Sequence, residues 1–118
     1  VHNLNIKTLV IEAHENAVNH GFWEDIADLQ LLKTRFSHPA FKIDVNALST
    51  RLMLIVGEAA EAQEGLRKND RDNFQEELAD ICIRIFDLCG GLDVDLEKQI
   101  ERKMAINKER PYKHNKLF

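Results

Sequence analysis

The chain has 118 residues and a mass of 13.6 kDa, with 44% hydrophobic and 31% charged residues, a composition that suits one globular domain. Twenty acidic against sixteen basic residues give a net charge of −4, which argues against a surface built to grip a nucleic-acid polymer. Five Gly and two Pro are too few for a turn-dense β-sandwich or a low-complexity chain.

Ile6, Leu9, Val10, Ala13 and Ala17 follow the i, i+3, i+4, i+7 rhythm of one helical face, and Gly21 stands where a C-terminal cap would be. Residues from Phe22 to Phe36 predict a shorter helix around Ile26, Ala27, Leu31 and Leu32, broken by Ser37, His38 and Pro39. Asp44 or Asn46 can cap the next segment. From Val45 to Arg67 a stripe of Leu48, Leu52, Ile55, Val56, Ala59, Ala62 and Leu66 makes the strongest helix. Lys68-Asn69-Asp70-Arg71 reads as a short connection. Asp72 and Gln75 then stand in capping-box register for a helix to Cys89, ended by Gly90 and Gly91. The last helix starts near Asp93 or Asp95, carries Leu96, Ile100 and Met104, and stops before Pro111. No segment reads as a strand. The expected fold is all-α, a four-helix-bundle-like single domain over residues 1–118, with four or five helices and the two long central ones antiparallel.

In the segment 73–89, Phe74, Leu78, Ile81, Ile85 and Leu88 form one core stripe, while Ala79, Cys82, Ile83 and Phe86 cover much of the remaining circumference. A helix apolar on nearly every side is usually buried on nearly every side. A second subunit would supply that cover, so a homo-oligomer is expected, a dimer or a dimer of dimers; cover by the N-terminal helices within the monomer is the alternative. At this length a deep site is also more easily built between subunits than inside one. Cys82 and Cys89 lie seven residues apart on one helix, about 10 Å along its axis, which excludes a mutual disulfide. With no secretory pattern and no apolar run long enough to span a bilayer, the expected location is the cytoplasm, with no membrane partner.

Four carboxylates carry the chemistry. Glu58 and Glu61 stand at i and i+3 after Gly57, and Glu64 continues the acidic run. Glu77 and Asp80 repeat the spacing on the following helix, bordering the core stripe. Two carboxylate pairs on adjacent antiparallel helices repel one another without a counter-ion, and an all-oxygen set suits a hard divalent cation: magnesium, with manganese as a common substitute. No histidine stands three residues after any of the four, which disfavours a di-iron site. The plainer alternative is a solvated face paired with Arg51, Arg67 and Arg84.

Val56-Gly57-Glu58-Ala59-Ala60-Glu61-Ala62, followed by Glu76-Glu77-Leu78-Ala79-Asp80, resembles the Glu-x-x-Glu and Glu-x-x-Asp signature of the MazG-like all-α nucleoside triphosphate pyrophosphatases. The resemblance continues through Gly90-Gly91-Leu92 to the tail of Lys103, Asn107, Arg110 and Tyr112, roughly residues 45 to 115. It implies hydrolysis of a nucleoside triphosphate between the α and β phosphates, giving a monophosphate and pyrophosphate. It also implies that Glu58, Glu61, Glu77 and Asp80 are magnesium ligands. Many members carry a glutamate before the first ligand, where this chain has Gly57, as do members of the dCTP-pyrophosphatase type. The carboxylate that activates water, drawn from Glu58 and Glu61, therefore stays open. Dimeric dUTPases and the phosphoribosyl-ATP pyrophosphohydrolases are further relatives, and the tail resembles the latter less.

The chain has no P-loop, so metal and basic side chains must hold the phosphates. Lys103, Asn107 and Arg110 stand at i, i+4 and i+7 on one side of the last helix, with Tyr112, Lys113 and His114 beyond, within reach of phosphate or sugar. A solvated helix end is the alternative. Among Phe22, Trp23, Phe36, His38 and Phe41, an aromatic such as Trp23 can stack on a base with His14 facing the same pocket. Packing is the plainer role for each. Phe86 and Phe118 read as packing only, and His2, His20 and His114 have no metal-site spacing. A non-catalytic helical module, binding a metal or a basic protein partner, is the reading from a different class.

Overall fold

The computed structural model describes residues 4–38, 40 and 42–117, and these contain five α-helices and no strand. His2, Pro39, Phe41 and Phe118 lie outside the described residues. The helices are α1 (Ile6–Asn19), α2 (Leu29–Ser37), α3 (Val45–Arg67), α4 (Arg71–Leu92) and α5 (Leu96–Lys108), followed by a 3-10 turn at Tyr112–Asn115. All five open alike. A side-chain oxygen of Asn5, Asp28, Asp44, Asp70 or Asp95 accepts from the backbone N–H three residues on, at 2.8–3.1 Å. Each cap satisfies an amide that the helix itself leaves orphaned and contributes about 1 kcal/mol.

Gly21 ends α1 as expected: it takes φ +83°, and the N–H groups of Gly21 and Phe22 donate to Val18 and Ala17. Asn69, at φ +53°, ends α3 in the same way, with the Asp70 N–H donating to the Gly65 carbonyl at 2.8 Å. The turn is so tight that α3 and α4 pack against each other as an antiparallel pair.

Two boundaries differ from expectation. The second helix begins at Leu29 rather than near Phe22, because Asp28 caps it and residues 20–27 form turns instead. The fourth opens on Asp70 rather than on the Asp72–Gln75 box, and it runs through Gly90 and Gly91 instead of ending there. Those glycines are contact points. A Cβ at Gly90 would lie 2.4 Å from the His14 Cβ, and one at Gly91 would lie 2.2 Å from Trp23 Cη2. They let α1 and the Trp23 ring approach the α4 backbone, and the helix stops only at Asp93, at φ +59°.

The centre of the fold is α4, with α1, α2 and α3 packed against it and α5 packed against α1. Ala17, Trp23, Leu32 and Leu92 form the core cluster, flanked by Ile26, Leu29, Ile43, Leu48, Leu88 and Val94. Asp87 ties this core together. Its Oδ1 accepts from Trp23 Nε1 at 2.7 Å and from His14 Nδ1 at 3.0 Å, and the His14 ring stands edge-on to Trp23. Asp87→Ala leaves both donors without a partner, so a loss of about 2–4 kcal/mol is expected, read from the urea unfolding midpoint.

Much of the expected core stripe is not covered within the chain. Of the α3 stripe only Ala62 is buried, while Leu52, Val56 and Leu66 are more than half exposed. Leu78 on α4 and Met104 on α5 are exposed as well. The periodicity was helical, but periodicity does not say what lies against a face.

Candidate functional site

The antiparallel α3–α4 pair brings Glu58, Glu77 and Asp80 together, each offering a carboxylate oxygen within 4.8 Å of the others. Glu58 is half-buried, Glu77 is buried at 9% exposure, and Asp80 is exposed. Two devices hold this charge. Arg84 Nε donates to Glu58 Oε1 at 2.8 Å, and Glu77 keeps its proton up to about pH 7. Hydrogen bonding to Glu58 is the largest cause of that rise, followed by burial and the charge of Glu61. The same hydrogen bond, then Arg84, holds Glu58 below its ordinary range. Glu77 Oε2 is buried without a hydrogen-bond partner. An orphaned carboxylate oxygen facing two further carboxylates fits a hard divalent cation, since a cation satisfies the oxygen and cancels the repulsion.

The raised Glu77 acidity has a testable sign. Between its ordinary 4.5 and about 7, the folded chain holds a proton that the unfolded chain has released. The Glu77 contribution to stability therefore falls as pH rises through that window. In metal-free buffer Glu77→Gln is expected to gain on the parent chain from pH 4.5 to 7 and level off above, measured by chemical denaturation; a difference independent of pH contradicts it.

Glu61 is exposed and stands outside the close group, near enough to Glu77 to act on its proton. With Glu64, Asn73 and Glu77 it lines a shallow depression beside the cluster. Of the three arginines that could have paired with a solvated acidic face, Arg84 takes Glu58, Arg67 meets Glu64 at 3.7 Å, and Arg51 pairs elsewhere. Lys103, Asn107, Arg110 and Tyr112 are exposed on or beyond α5 and neither join the cluster nor line the cleft next to it. Arg110 instead borders a surface depression with Lys113, His114 and Lys116. His14 and Trp23 are buried in the Asp87 network, so in this arrangement neither ring offers a free face to a ligand.

The cleft lies between α1, α3 and α4 and has a volume of about 450 Å³. Glu58, Asp80 and Arg84 stand on its wall with Leu54, Ile83 and Phe22, and Asn16, Asp25, Thr50, Arg51 and Asp87 supply further polar groups. Its size and its mixture of apolar walls with a few polar groups suit a small molecule. Arg51 organises one side. Its guanidinium stacks 3.9 Å over the Trp23 ring, pairs with Asp25 at 2.7 Å and donates to the Phe22 carbonyl. That pairing holds the Asp25 carboxyl below its ordinary range.

The sequence reading missed Asp25, Asp87 and the stacking role of Arg51. Arg51 stands seven residues before Glu58 and Asp87 seven after Asp80, so each shares a helix face with a carboxylate already singled out. Comparisons of the chain with protein-family models, with curated proteins and with solved structures found no match.

Proposed function

We propose that the chain is a magnesium-dependent nucleoside triphosphate pyrophosphohydrolase of the MazG-like kind, cleaving the α–β phosphate bond of (d)NTPs. The observation that carries this reading is the Glu58, Glu77 and Asp80 group, within 4.8 Å, with one buried oxygen of Glu77 left unpartnered. These three residues would hold the ion, with Glu61 at the rim. The chemistry magnesium supplies when bound is neutralisation of triphosphate charge and alignment of a water with the leaving pyrophosphate. Glu58, kept ionised by its partners, is suited to hold the cation, and the exposed Glu61 beside it to take a proton from that water. Arg84, now turned to Glu58, is the cation nearest to hand for a phosphate oxygen, and the apolar cleft wall gives a base somewhere to leave water. Manganese is expected to substitute.

Pyrophosphate release from a panel of canonical and modified (d)NTPs with magnesium tests the reading. Turnover of at least one, abolished by chelation, is expected. No turnover of any, together with no effect of Glu61→Gln, rejects it in favour of a non-catalytic helical module.

A further inference from the structure

We infer that the cleft selects the nucleobase, with the Phe22 ring as its stacking surface and the Asp87 carboxylate as an acceptor that favours an amino-bearing base, cytosine or adenine, over uracil or thymine. The occupant, a nucleotide, rests on the function proposed above, while its selection is tested by binding alone. Asp87 lines the cleft seven residues after Asp80 on α4, about 10 Å along the axis and on the same face. Arg51 stands at the matching place on α3, seven residues before Glu58. Two helical turns thus separate the acidic end of the cleft from its other polar end, the room that a sugar and a base need beyond a metal-held phosphate. Leu54 and Ile83, about half exposed, supply apolar surface between the two ends.

Phe22 is the aromatic free to stack. It lines the cleft yet keeps 71% of its surface, whereas Trp23 beside it keeps 4% and has Arg51 over one face. A large ring left in water on a cleft wall contributes little to the fold, and the π-face of a base covers it. Its backbone is already fixed. Arg51 donates to the Phe22 carbonyl at 3.2 Å, to the two oxygens of Asp25 at 3.0 and 2.7 Å, and to the Ala47 carbonyl of its own helix. The turns between α1 and α2 are therefore tied to α3 before a ligand arrives.

Asp87 supplies the selection. Trp23 Nε1 and His14 Nδ1 both donate to its Oδ1, leaving Oδ2 with no donor among the described residues, and the side chain on the cleft wall is 19% exposed. A carboxylate oxygen accepts and cannot donate, so it takes the N–H of an amino group and repels a carbonyl oxygen in the same place. Asp25 does not compete, since both of its oxygens are held by Arg51.

Calorimetric titration with nucleoside monophosphates in magnesium buffer tests this without turnover. The parent chain is expected to bind dCMP about tenfold more tightly than dUMP. Asp87→Asn keeps an oxygen for Trp23 and His14 and puts an amide N–H donor in place of Oδ2, so it is expected to reverse that order. Phe22→Ala, at an exposed position, is expected to weaken dCMP by about tenfold and to leave deoxyribose 5-phosphate, which has no base, unchanged. Equal binding of dCMP and dUMP by the parent chain overturns the inference, as does an Asp87→Asn variant that keeps the parental order or a Phe22→Ala loss shared by the sugar phosphate. Should Asp87→Asn fail to fold, the parent and Phe22→Ala comparisons decide it. Base-ordered binding with no pyrophosphate release from any triphosphate upholds the selection and rejects the hydrolase; release with no order among the bases rejects the selection alone.

Discussion

Glu77→Gln is expected to lower magnesium-dependent pyrophosphate release by more than about a hundredfold and to remove the rise in melting temperature that magnesium gives the parent chain. The two readouts are joined by one cause. Glutamine keeps the shape of Glu77, which is buried between α3 and α4, so packing is conserved while the anionic oxygens are not. Without magnesium the variant should be the more stable protein near pH 7, since it buries no charge beside Glu58 and Glu61. With magnesium the order should reverse: about a hundredfold excess of free ion over its dissociation constant raises the parent chain's melting temperature by several degrees and leaves the variant unmoved. A residue that served only the fold would not produce that crossing. Glu61→Gln separates two roles that the arrangement leaves distinct. Loss of both turnover and the magnesium shift puts Glu61 among the ligands, whereas loss of turnover alone puts it on the attacking water. Turnover by Glu77→Gln at the parental rate would reject the metal site.

The elements that the sequence made legible are those whose signals are local. Asp44 before an unbroken stripe, and Gly21 after one, mark α3 and the end of α1 because capping is settled within a few residues. The carboxylate pairs were legible for a related reason: a tight turn between two long helices leaves little freedom in how Glu58 meets Glu77 and Asp80. The rest depends on what arrives from far along the chain. Gly90 and Gly91 read as a helix end, yet they are sites where His14 and Trp23, more than sixty residues away, press on the backbone. For Trp23 packing was the plainer role and stacking on a base the alternative, and its partners Asp87 and Arg51, from far along the chain, hold it in the core. The α3 stripe predicted burial without saying by what, and within one chain Leu52, Val56 and Leu66 stay uncovered.

Gly91→Ala is expected to destabilise the chain by about 3 kcal/mol, although glycine to alanine inside a helix ordinarily stabilises by about 0.5–1 kcal/mol. The sign turns on Trp23. A Cβ at residue 91 would lie 2.2 Å from its Cη2 and 2.5 Å from its Cζ2, so the ring or the helix must move. The ring has little freedom to do so: Nε1 donates to Asp87, the Arg51 guanidinium covers one face, and His14 stands at its edge. Displacing it therefore adds the loss of a part-buried hydrogen bond to the overpacking itself. Gly57→Ala is the internal control. It sits in α3 with no atom within 4 Å of its would-be Cβ, so the intrinsic helix preference is all that remains and the substitution should stabilise. Measured together by thermal or urea unfolding, the two alanines should move the midpoint in opposite directions, Gly91→Ala lowering the melting temperature by about 10 °C. Stabilisation by both would mean that Trp23 does not rest on α4, and the side of the cleft lined by Arg51 and Asp87, which contact Trp23, would have to be rebuilt.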